Sequence, residues 1–110
     1  MKQRRPAKRK PNGKASTEAR LLRLRKRMDL LDQRIARLLL TRLALSLSII
    51  AEKSTLDRPV HDPKREREVL ANLTKGLNPS GTPARLLTTV YREIFRQTVE
   101  SAKTGKLRRG

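Results

Sequence analysis

The chain has 110 residues, no cysteine, and 28 Lys and Arg against 10 Asp and Glu, a formal charge of +18. That length suits one domain. The missing cysteines exclude a disulfide framework, a thiolate metal site and a cysteine nucleophile. A single histidine, His61, argues against a histidine-rich metal centre or a Ser-His-Asp triad. With only Tyr91 and Phe95 as aromatics, a base-stacking platform is not expected. No apolar run approaches the roughly 18–20 residues that cross a bilayer, and no apolar segment follows the basic start. The sequence therefore predicts a small, soluble, cytoplasmic protein with no membrane association.

The charge is unevenly placed. Residues 1–20 carry eight basic side chains and one acidic, and residues 103–110 carry four basic and none acidic. Pro6, Pro11 and Gly13 punctuate the head, which lacks apolar periodicity. Residues 1–16 are thus expected to form a disordered basic arm and residues 104–110 a basic tail, with a helical domain over 17–103. Such tails make non-specific contacts with anions or nucleic acid.

From Thr17 to Lys53 no Pro or Gly interrupts the chain, and Leu24, Met28, Leu31, Ile35, Leu38, Leu45 and Ile49 recur at alternating spacings of four and three. This predicts one long amphipathic helix ending before Pro59. Asp62 as N-cap and Pro63 at the first helical position open a second helix carrying Val69, Leu70 and Leu73, with Gly76 as its C-terminal cap. Thr82-Pro83 opens a third, fraying between Lys103 and Gly105, with Leu86, Leu87, Val90, Tyr91, Ile94 and Phe95 facing inward. No strand pattern competes, so the class is all-α. Two shorter helices cannot cover so long an apolar seam, which predicts a homodimer built on paired long helices.

Charges interrupt these patterns. Arg42 falls on the seam, where an arginine either snorkels at an edge or is buried with an anion. Lys53, eleven residues on, shares its face within about 20°, whereas Arg25 points elsewhere. Asp62, Arg65 and Glu66 stand at i, i+3 and i+4 on the first turn of the second helix, as a capping Asp with an ion pair or as a mixed donor and acceptor cluster.

The run from Leu24 to Leu70 resembles the all-helical (AroQ-class) chorismate mutases. The resemblance rests on the Leu-Arg at Leu24-Arg25, the stretch that ends at Arg42, and the pattern Lys53, Arg58, Pro59, Val60, Asp62, Arg65, Glu66. It implies an intertwined homodimer of three-helix chains that converts chorismate to prephenate, on the route to phenylalanine and tyrosine, without cofactor or metal. By the same resemblance Arg42 binds one substrate carboxylate and Arg25 of a partner chain the other. Lys53 donates to the ether oxygen, Glu66 and the backbone near Asp62 hold the hydroxyl, and Arg65 supports the cluster. Thr98 falls at the family's hydroxyl position on the third helix and Ala102 where the family usually has Gln or Glu, which implies a slow enzyme unless Gln97 or Glu100 fills the gap. Two alternatives share the sequence: an isochorismate pyruvate-lyase on the same fold, and a non-enzymatic helical protein whose basic arms bind nucleic acid. His61 is read as a loop residue beside the motif.

Overall fold

The computed structural model of the chain describes residues 12–109, with side chains described from 13 to 104. Residues 1–11 of the expected arm, and the side chains of the tail beyond 104, lie outside the described residues. Among the described residues there are three helices: α1 (Asn12–Thr55), α2 (Pro63–Leu73) and α3 (Thr82–Arg109). Among the described residues there is no strand, and no helix is long and apolar enough to cross a membrane.

The chain divides into two units, residues 1–41 and 42–110. The described part of the first is helix alone, Asn12–Thr41 of α1, and it begins five residues earlier than the sequence suggests. One glycine, Gly13, costs about 1 kcal/mol in a helix and does not outweigh the helix formers Lys14 and Ala15 beside it. All its described side chains are exposed, including Leu24, Met28, Leu31, Ile35 and Leu38.

The second unit contains the last turns of α1 together with α2 and α3. Among the described residues its one buried side chain is Ala84, at 4% exposure. Ile50, Val69, Leu70, Leu73, Leu87, Tyr91, Ile94, Phe95 and Val99 are half-buried around it. The expectation that Leu86 and Val90 face inward is corrected: both remain exposed within the chain. Leu45 and Ile49, the seam positions of this unit, are exposed as well.

The helix ends explain how the site is held. At the C-terminus of α1 the Arg58 N–H donates to the Lys53 carbonyl at 2.9 Å, and the Asp57 N–H to the Ser54 carbonyl at 3.1 Å. Asp57 adopts φ 56°. This bond pair is a Schellman stop, with aspartate in the left-handed position that usually takes glycine. It turns the chain sharply so that Val60 and Asp62 come back past Lys53. Asp62 then caps α2, its Oδ1 accepting from the Arg65 N–H at 3.1 Å.

The end of α2 differs from expectation. The cap is Thr74, whose N–H and hydroxyl both donate to the Leu70 carbonyl, at 3.0 and 2.7 Å. Gly76 sits two residues further on, where the turn demands φ 81°. The third helix also continues through Gly105 to Arg109, because Lys106, Leu107 and the two arginines after it favour helix strongly enough to absorb one glycine.

Candidate active site

Three elements of the second unit enclose a cavity of about 350 Å³. The α1 segment supplies Arg42, Ser46, Ile49, Ile50 and Lys53. The following loop and α2 supply Val60, Asp62, Arg65, Glu66 and Val69, and α3 supplies Phe95, Thr98 and Val99. Such a volume suits a small organic ligand, and the lining has the usual makeup of a binding site, apolar walls with a few placed charges.

Lys53 anchors one side. Its side chain is 18% exposed, and its Nζ donates to the Val60 carbonyl at 3.3 Å and lies 3.6 Å from Asp62 Oδ2. An ammonium has three N–H groups. One is committed to the Val60 carbonyl, while Asp62 holds the ammonium as an ion pair, which leaves N–H groups for a ligand. Asp62 thus serves two partners, Oδ1 the start of α2 and Oδ2 the ammonium. The Arg65 N–H, and then Lys53, hold its carboxyl below the ordinary aspartate range.

Arg42 anchors the other side. It is half-buried, and its partners are aromatic rather than acidic. Its guanidinium carbon lies 5.3 Å from the Tyr91 ring centroid and 5.7 Å from that of Phe95. The two rings meet edge to face, with centroids 6.0 Å apart. Nη1 donates to Ser46 Oγ at 3.5 Å. Cation–π attraction places the guanidinium without neutralising its charge, so it stays available to an anion. Sequence reasoning took Tyr91 and Phe95 for core; a ring pair one helical turn apart opposite a seam arginine was the available signal.

The cluster at the start of α2 is only partly the expected one. Asp62 turns to Lys53, Arg65 pairs outward with Glu68 at 3.3 Å, and Glu66 faces His61, with Nε2 to Oε2 at 3.5 Å. His61, a loop residue beside the motif as expected, is therefore also the neighbour of a lining carboxylate. Thr98 lines the cavity and its hydroxyl donates to the Ile94 carbonyl at 2.8 Å, so its oxygen lone pairs remain open to a donor.

Ala102 is half-buried and outside the lining, and neither replacement donor is in place. Gln97 is exposed, its Nε2 donating to Glu93 Oε2 at 2.8 Å. Glu100 lies 3.6 Å from Lys103. Arg25 belongs to the first unit and is exposed. Among the described residues no group of His, Asp and Glu could hold a metal ion.

The family model described as Chorismate mutase type II matches residues 24–103. A bifunctional chorismate mutase/prephenate dehydratase of Aquifex aeolicus (strain VF5) is 38% identical over 78 residues, which cover 68% of this chain and 22% of that protein. The T-protein of Enterobacter agglomerans is 32% identical over 83 residues, covering 76% of this chain and 22% of that protein. The chain thus spans about a fifth of the length of the curated relatives it matches. No solved structure matches it significantly. A family match over residues 24–103, which contains every lining residue of the cavity, places this chain in the chorismate mutase type II family.

Proposed function

We propose that the chain catalyses the rearrangement of chorismate to prephenate in the cavity between the end of α1, α2 and α3. The observation that carries this reading is the pairing of Arg42 and Lys53 across an apolar cavity of about 350 Å³, each cation held by neighbours that leave it a free donor. Chorismate is a dianion whose ether C–O bond breaks as a C–C bond forms within the same molecule. No atom is gained or lost, so the protein needs no nucleophile and no redox partner. Its tasks are to hold the reactive chair and to meet the negative charge that grows on the ether oxygen.

In this reading Arg42 binds one carboxylate, and its aromatic clamp fixes the direction of approach. An uncommitted N–H of Lys53 meets the ether oxygen. Glu66 accepts from the substrate hydroxyl, Thr98 lies against a polar edge, and Arg65 adds to the positive field. The second carboxylate falls to Arg25 of a second copy. A dimer is supported by the seam residues Leu24, Met28, Leu31, Ile35, Leu38, Leu45 and Ile49, which are 49–66% exposed in the single chain, an apolar row that soluble proteins cover.

Only one donor faces the ether oxygen from this chain. A missing donor of that type costs on the order of 10²–10³ in rate, so the enzyme is slow. The test is the loss of chorismate absorbance, with pyruvate measured in parallel from isochorismate. Prephenate formation above the uncatalysed rate supports the proposal. Background chorismate loss refutes it, and pyruvate release alone reassigns the site to the lyase reaction.

A further inference from the structure

The first unit holds a feature that mutase chemistry does not use. Arg20, Arg23, Arg27, Arg34 and Arg37 recur along α1 at spacings of three, four, seven and three, with Leu30 filling the gap in the same register. At 100° per residue the five guanidinium groups fall within an arc of about 100° and span about 26 Å of helix. All five are exposed, and among the described residues none takes part in an ion pair. The acids of this half, Glu18, Asp29 and Asp32, are on roughly the opposite side.

Helix stability does not explain this row. Arg20 and Arg23, Arg23 and Arg27, and Arg34 and Arg37 stand at i,i+3 or i,i+4, the spacings at which like charges oppose helix formation. Solubility needs net charge but not one loaded face. The row is also made of arginine, whose planar fork suits phosphate oxygens.

We propose that this arginine row is a docking surface for the phosphate backbone of duplex nucleic acid, a function beyond the proposed mutase activity. A straight row of about 26 Å matches a charged rod that presents phosphates at short, regular intervals. With no aromatic side chain on that face and its arginines directed at phosphates, binding is indifferent to sequence. An anionic membrane fits less well. The apolar seam is flanked by the arginines on one side and by Glu18, Asp29 and Asp32 on the other, so embedding it would press three carboxylates into the headgroups.

The test uses the full chain, so that the basic termini are constant, and compares it with a variant carrying Arg23→Gln, Arg27→Gln, Arg34→Gln and Arg37→Gln. Affinity for a labelled 24-base-pair duplex, as DNA and as RNA, is measured against salt concentration. Each phosphate contact contributes about −0.9 to the slope of log affinity against log salt on duplex DNA. The four substitutions should therefore make the slope shallower by about 3–4 and weaken binding on the order of 100-fold at 0.15 M salt. Gln keeps helix propensity, so circular dichroism should be unchanged, and the corresponding four Lys substitutions should retain the wild-type slope. An unchanged slope in the Gln variant assigns binding to the termini and overturns the proposal. So does loss of binding to vesicles of phosphatidylglycerol and phosphatidylcholine with no effect on either duplex. Because these residues are outside the cavity, failure here leaves the mutase reading intact.

Discussion

The two halves of this chain use positive charge in opposite ways. In residues 42–104 the informative cations are each placed by a partner: Lys53 by Val60 and Asp62, Arg42 by two aromatic rings, Arg65 by Glu68. In residues 12–41 five arginines form a row, with no acidic partner among the described residues. A held cation presents one donor in one direction, which is what a small anion recognised atom by atom requires. A row of solvated cations presents a field, which suits a long, repetitive anion. Net charge alone conceals this distinction.

The sharpest way to break the comparison is to remove a held cation. Lys53→Ala should lower kcat by about 10²–10³ while leaving helicity near wild type, as measured by chorismate loss and circular dichroism. In the other direction, Ala102→Gln restores an amide one turn beyond Thr98 and should raise the rate by about one to two orders of magnitude in the same assay. Loosening the hold without removing the charge should do less. Tyr91→Leu or Phe95→Leu withdraws one ring from Arg42 and should raise KM about two- to fivefold with kcat nearly unchanged, because the proposed carboxylate contact would be made equally in ground and transition states. Tyr91→Phe should keep the wild-type KM. Here the rings act as positioning residues.

Smaller effects probe the turn that delivers Asp62 to Lys53. Asp57→Gly relieves the left-handed aspartate and should stabilise by roughly 0.5–1 kcal/mol, raising Tm by a few degrees. Asp62→Asn keeps a good N-cap but removes the charge facing Lys53. The Asp62 carboxyl titrates lower in the fold than in the unfolded chain, so its contribution is complete above the ordinary carboxylate range and fades as pH falls through the folded pKa. The wild type should therefore lose Tm on acidification slightly more steeply than Asp62→Asn, with the two curves converging in acid.

Local rules accounted for much of the fold. The seam of α1 followed from spacing, and Asp62-Pro63 marked the start of α2 because capping is decided within four residues. What escaped was decided at longer range. Arg42 was conspicuous on the apolar seam, but its ring partners lie on α3, and no periodicity within α1 could name them. Asp62 was grouped with Arg65 and Glu66 by helical spacing, whereas the turn at Asp57 brings Lys53 closer. The Gly76 cap failed because a threonine that returns both its N–H and its hydroxyl to Leu70 ends the helix first. The exposure of Leu86 and Val90 shows a limit of another kind: apolar spacing marks a face, not what it packs against.

Chorismate turnover by the wild type, Lys53→Ala and the four-Gln arginine-row variant, assayed side by side, tests the central claim most directly. If the held cations form the site and the row does not, the wild type and the row variant should convert chorismate at the same rate above background while Lys53→Ala falls to background. Equal rates in wild type and Lys53→Ala, or no wild-type rate above background, would contradict that account.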